Sequence, residues 1–178
     1  MRSVFLTGFM GTGKTAVGTA LARRLGGRFV DLDEEIERSA GLTIAAIFAR
    51  FGEPEFRRRE RQALALVAGL DGVIVATGGG TVVDRGNRTA MREAGRIVCL
   101  TADVGTILAR VGGGKDRPLL AAASDRAARV RELLAERAEA YEDADLTIDT
   151  SGKTVEGVSE EITDGLRALD DTSGPRNR

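Results

Sequence analysis

An α/β fold, with a five-stranded parallel sheet and helices on both faces, is predicted by three observations. Short apolar runs recur at Val4–Leu6, Phe29-Val30, Val73–Val75, Ile97–Leu100 and Leu146–Ile148. Stretches with apolar residues at helical spacing separate them, and strand and helix in alternation argue for a parallel sheet covered on both sides. The third observation is the link from the first run to the first helix, Gly8-Phe9-Met10-Gly11-Thr12-Gly13-Lys14-Thr15. Its spacing, G-x-x-x-x-G-K-[ST], is that of a phosphate-binding P-loop, which narrows the class to the three-layer P-loop NTPase fold.

The chemistry of that loop asks for each of its parts. Glycines let the backbone turn its N–H groups inward as an anion nest, and the following helix adds the positive end of its dipole. Gly11, Thr12, Gly13, Lys14, Thr15 and Ala16 are therefore the candidate ATP contacts. Lys14 can reach the β- and γ-phosphates, and the Thr15 hydroxyl can ligate Mg²⁺. Only three lysines occur in the chain (Lys14, Lys115 and Lys153), which makes one at this position more telling. A flexible Gly/Thr turn is the plainer alternative; the flanking strand and helix favour nucleotide binding.

Helices are predicted over 14–25, 34–40, 44–51, 55–69, 84–94, 103–110, 125–142 and 154–169. In an open α/β sheet ligands gather beyond the carboxyl ends of the strands. After the second strand comes Asp31-Leu32-Asp33. If that segment is extended, its two carboxylates share a face. One would support hydrated Mg²⁺ and the other orient an acceptor hydroxyl, unless Asp33 simply caps the next helix. After the third strand come Gly78-Gly79-Gly80, where a Walker-B acid would stand and none does. Bare glycines leave backbone N–H groups accessible to a ligand, and the missing acid favours Asp31 as the metal's carboxylate.

Gly52-Glu53-Pro54-Glu55-Phe56-Arg57-Arg58-Arg59-Glu60-Arg61 opens a helix, with Pro54 in its first turn. Arg57, Glu60 and Arg61 share one face, so Glu60 can hold Arg57 in place; a solvated charged face is the alternative. The segment Gly112-Gly113-Gly114-Lys115-Asp116-Arg117-Pro118-Leu119-Leu120 is a lid candidate, over about 112–124. Ser151-Gly152-Lys153-Thr154 echoes the P-loop ending, but Thr147 stands where its first glycine would be. It reads as the loop after the last strand, with Lys153 a candidate ATP contact. Val155, Val158, Ile162, Leu166 and Leu169 form the buried stripe of the last helix. Residues 1–169 are predicted to be a single domain, and Asp170–Arg178 a disordered tail.

Composition removes several classes. The chain has no histidine, so imidazole catalysis and His-ligated metals are out, and its one cysteine, Cys99, allows neither a disulfide framework nor a Cys zinc site. The net charge of −1 offers no basic field for nucleic acid. No apolar stretch is long enough to span a membrane, and the first strand begins at once, leaving no room for a signal peptide. A cytoplasmic monomer is the expectation.

Taken together, GFMGTGKT, FVDLD, GEPEFRRRE, ATGGGTV, RPLL and LLAERAEAYEDAD, in that order over roughly residues 2–168, resemble the shikimate kinases. The resemblance implies a nucleoside monophosphate kinase-like fold with a mobile lid. It also implies ATP-dependent phosphorylation of the 3-hydroxyl of shikimate, in aromatic amino-acid biosynthesis. By the same resemblance Asp33 is the base and a shikimate ligand, and Asp31 lies near Mg²⁺. Arg57 and Arg137 grip the substrate carboxylate, Gly79 and Gly80 add backbone contacts, Arg117 reaches the phosphates from the lid, and Arg110 stacks on adenine. Spacing alone does not choose among Arg57, Arg58 and Arg59; the resemblance selects Arg57. Two guanidinium groups suit a carboxylate, because each pairs with it in bidentate, directional fashion.

Overall fold

The computed structural model describes residues 2–112 and 125–173. Arg117, and all of the predicted lid except Gly112, lie outside the described residues, as does 174–178. The elements run β1 (Ser3–Thr7), α1 (Lys14–Leu25), β2 (Arg28–Asp31), α2 (Leu32–Ala40), α3 (Ile44–Ala68), β3 (Val73–Ala76), α4 (Arg85–Ala94), β4 (Gly95–Thr101), α5 (Val104–Val111), α6 (Arg126–Glu136), α7 (Ala138–Glu142), β5 (Leu146–Asp149) and α8 (Val155–Ser173). A short 3₁₀ turn covers Thr81–Val83.

The sheet is five-stranded and parallel throughout, in the order β2-β3-β1-β4-β5. Its register brings the strand ends to one edge: Leu6 and Asp31 both pair with Ala76, Thr7 with Cys99, and Thr101 with Asp149. The alternation of side chains along each strand fills two cores. Phe5, Val75, Ile97 and Cys99 face the layer that holds α3 and α4. Val4, Leu6, Ile74, Val98 and Leu100 face α1 and α8. A smaller cluster of Phe9, Ile107, Val130 and Leu133 joins the P-loop to α5 and α6. Each fully buried side chain of this size contributes about 1.5–3 kcal/mol, so the edge that carries the strand ends rests on a rigid base.

Three expectations need correcting. Asp31-Leu32-Asp33 is not extended: β2 stops at Asp31, whose side chain accepts from the Asp33 N–H and caps α2. Asp31 is thus the cap, and Asp33 falls in the first helical turn. The helix predicted over 125–142 is broken at Arg137, which leaves helical geometry at φ −108 and ψ 2. Finally, the predicted tail is helical as far as Ser173, with Asp170 paired to Arg96 at 3.2 Å. In contrast, the gap foreseen between 51 and 55 is a kink at Gly52, φ 79 and ψ 176, just before Pro54.

Candidate active site

The P-loop closes over the end of β1. Gly13 caps α1 in the left-handed region at φ 96, with no side chain filling the helix end. That leaves the N–H groups of the first turn, including those of Lys14, Thr15 and Ala16, directed at any anion placed there. Gly11 is also left-handed, at φ 78. Lys14 Nζ donates to the loop's own carbonyls, Gly8 O at 2.8 Å and Phe9 O at 2.9 Å. Thr12 is buried and its hydroxyl donates to Phe9 O at 2.8 Å, which stiffens the turn.

At the α1 end of the loop, Thr15 Oγ1 donates to Asp31 Oδ2 at 2.9 Å. Among the described residues no group of three or more His, Cys, Asp and Glu side chains could hold a metal. Thr15 and Asp31 together offer a hydroxyl and a carboxylate, both hard oxygens. So sparse a set fits Mg²⁺, which keeps several waters and takes its other ligands from phosphates.

On the side toward β4 and β5, Arg110 donates to Gly11 O at 3.2 Å, to Thr150 Oγ1 at 2.9 Å and to Thr150 O at 2.9 Å. The guanidinium of Arg110 is therefore fixed beside the P-loop. Lys153 instead turns to Glu161 on α8, at 2.7 Å.

Across the sheet edge the glycine run after β3 is a hub. A Cβ on Gly80 would lie 2.8 Å from Arg57 Nη2, and one on Gly78 would lie 3.2 Å from Asp33 Oδ1 and 3.3 Å from Glu60 Oε1. Gly78 and Gly80 thus let Asp33, Glu60 and Arg57 crowd against the backbone. Arg57 Nη1 donates to both Glu60 oxygens, at 2.9 and 3.1 Å. Its Nε and Nη2 reach Glu53 Oε1, each at 3.2 Å. Glu60 is only 1% exposed and also accepts from Thr81 Oγ1 at 2.8 Å. Burial alone would lower the Arg57 pKa, but the two carboxylates outweigh it and the guanidinium is held more firmly charged than usual. Arg137 faces the turn from the other side: its Nη1 donates to Gly79 O at 3.2 Å and its guanidinium stands 5.8 Å from the centre of the Phe9 ring.

A family model described as shikimate kinase matches residues 10–167. The chain belongs to the shikimate kinase family. It is 51% identical over 166 residues to a shikimate kinase of Geobacter sulfurreducens, covering 93% of this chain and 91% of the relative. A solved shikimate kinase from Acinetobacter baumannii, in complex with shikimate, superposes with a TM-score of 0.90 at 36% identity, covering 95% of this chain and 94% of that one. A gluconokinase from Sinorhizobium meliloti aligns over 96% of this chain and 94% of its own, with a TM-score of 0.60 at 18% identity, a likeness of fold alone.

Set against the shikimate kinase pattern expected from the sequence, the structure brings Asp33, Arg57, Gly79, Gly80 and Arg137 to one side of the P-loop and Thr15 with Asp31 to its floor. Lys153 is paired with Glu161 on α8. Four contributors went unnoticed: Glu53, Phe9, Thr150 and Tyr141. Glu53 stands four residues before Arg57 on the same helical face, which is a legible signal. Tyr141 stands four after Arg137, and its hydroxyl donates to Gly79 O at 2.6 Å. Phe9 and Thr150 carried no local signal, because their partners are distant in sequence.

Proposed function

We infer that the chain transfers the γ-phosphoryl group of ATP to the 3-hydroxyl of shikimate, giving shikimate 3-phosphate and ADP, in the pathway to the aromatic amino acids. Beyond membership of the family, the observation that carries this reading is the pair Arg57 and Arg137. They flank one glycine turn beside a P-loop, and an acceptor without a carboxylate would leave that pair idle.

In this reading the N–H groups of Gly11 to Ala16 bind the β- and γ-phosphates, and Lys14 exchanges its two loop carbonyls for phosphate oxygens. Arg57 and Arg137 clamp the shikimate carboxylate. Asp33, beside Gly78, orients the 3-hydroxyl in line with the γ-phosphorus. The hydroxyl oxygen bonds to phosphorus as the bond to the β,γ-bridging oxygen breaks; the hydroxyl proton passes to Asp33 and ADP leaves. Thr15, with Asp31 behind it, would hold Mg²⁺, which neutralises phosphate charge when bound. Arg117 is the second cation that the family resemblance assigns to the phosphates, and Arg110 the residue against adenine. Positioning and charge neutralisation supply nearly all the catalysis, so a chain without histidine is not handicapped. Residues 1–169 act as one kinase domain, in a cytoplasmic monomer with ATP and shikimate as its only partners.

A coupled assay of ADP release tests this with shikimate, gluconate and nucleoside monophosphates as acceptors. Turnover with shikimate alone is expected; indifference to shikimate would sink the reading.

A further inference from the structure

We propose that Tyr141 is a positioning residue for the acceptor: its phenol holds the Gly79 carbonyl so that the Gly80 N–H and the Arg137 guanidinium meet the substrate in fixed register. The proposal rests on the shikimate kinase reading above.

The observations come from the break in the α6–α7 stretch. Tyr141 is buried, and its hydroxyl donates to Gly79 O at 2.6 Å, the same oxygen that accepts from Arg137 Nη1 at 3.2 Å. One carbonyl is therefore shared by a neutral donor and a cation. In a trans peptide the C=O and the next N–H point in opposite directions. Whatever fixes the Gly79 carbonyl therefore also fixes the Gly80 N–H, which points away from Tyr141. Burial pushes the phenol pKa up, although Arg137 opposes the rise, so Tyr141 keeps its proton and remains a donor at all ordinary pH.

The far end of α7 is pinned as well. Asp143 accepts from Arg88 Nε at 2.9 Å and from Arg92 Nη2 at 2.9 Å. Arg88 Nη1 then reaches Val82 O at 2.6 Å, in the 3₁₀ turn that continues the glycine run. The short helix and the glycine turn are thus fastened to each other at two points, one through Tyr141 and one through Asp143. A tyrosine serving only as packing would need neither the shared carbonyl nor the second fastening.

Removing the phenol hydroxyl leaves Gly79 O to Arg137 alone. The glycine peptide is then held by one donor instead of two, and the guanidinium is drawn from the acceptor toward the carbonyl. Both changes weaken acceptor binding in ground and transition states alike, so they raise KM without lowering kcat.

The chain has one tyrosine and no tryptophan, so its tyrosine fluorescence reports this residue alone. The test combines that signal with steady-state kinetics on the full chain. Tyr141→Phe is expected to raise KM for shikimate about three- to tenfold, the range of one hydrogen bond, with KM for ATP and kcat within about twofold. In the wild type, tyrosine fluorescence is expected to change with shikimate and saturate near its KM, without any nucleotide. Asp143→Asn, at a half-exposed site, should raise the shikimate KM in the same direction, and it decides the matter if Tyr141→Phe does not fold. An unchanged shikimate KM, or an equal rise in both KM values, overturns the proposal, as does fluorescence that ignores shikimate. Wild-type chain that fails to turn over shikimate overturns the functional reading and this proposal with it; normal wild-type turnover beside an unaltered Tyr141→Phe overturns the positioning role alone.

Discussion

On the proposed donor side, Gly11 to Ala16 come from one uninterrupted stretch and would contribute backbone N–H groups, the Lys14 ammonium and the Thr15 hydroxyl. The proposed acceptor side draws Asp33 from α2, Arg57 from α3, Gly79 and Gly80 from the turn after β3, and Arg137 from the break between α6 and α7. The resting partners differ accordingly. Lys14 donates to two neutral loop carbonyls, which have no counter-charge to lose. Arg57 rests on Glu60, a carboxylate only 1% exposed, which loses its counter-charge. Activity and stability should therefore separate in the donor half and be coupled in the acceptor half.

The largest effect is expected in the donor half. Lys14→Met should lower kcat/KM on the order of 10³-fold or more, because charge on the transferring group goes unneutralised. Its melting temperature should stay near wild type, and a marked fall would break the comparison. Asp33→Asn should follow, with kcat down about 10²- to 10⁴-fold and both KM values little changed. Intact turnover would remove Asp33 from the role of base.

Arg57→Ala should raise the shikimate KM about 10- to 100-fold, the value of one or two charge-assisted hydrogen bonds. It should also cost stability toward the low end of about 3–5 kcal/mol, since Glu60 is left buried and unpaired while Arg57 itself is partly exposed. Adding Glu60→Gln should restore much of the stability and none of the affinity. Denaturant unfolding beside shikimate kinetics measures the two effects separately, and their joint recovery would contradict the coupling described here.

The smallest effect concerns Cys99, in the sheet beneath both halves. Burial pushes its thiol up from 9.0 to about 11, with Lys14 pulling slightly the other way. An acid raised in the folded state contributes its stability in full below pH 9.0, and loses it as pH rises toward about 11. At mildly alkaline pH a thiol reagent should therefore label the folded chain negligibly, and labelling should track unfolding.

The donor half was legible because its physics is local: glycines, lysine and threonine must stand at fixed spacing in one loop. The sheet was legible for the same reason, since each apolar run is a strand core. Acceptor-side detail was not local. Spacing could not separate Arg57 from its neighbours, and the structure does so by partner: Arg58 and Arg59 both pair with Glu55, whereas Arg57 pairs with buried Glu60. The break at Arg137 has no glycine or proline to announce it. It coincides with contacts to Gly79 and Phe9 that lie far away in sequence. The capping role offered as the alternative for Asp33 falls to Asp31, because a cap is decided by where the strand stops, and the carboxylate pair alone does not say where.

The most direct test is a crystal structure of the chain with ADP and shikimate. The expected result has ADP phosphates on the N–H groups of Gly11 to Thr15, the shikimate carboxylate against both Arg57 and Arg137, and Asp33 facing the 3-hydroxyl. A carboxylate turned away from both arginines, with Arg57 still on Glu53 and Glu60 and Arg137 still on the Gly79 carbonyl alone, would contradict the account.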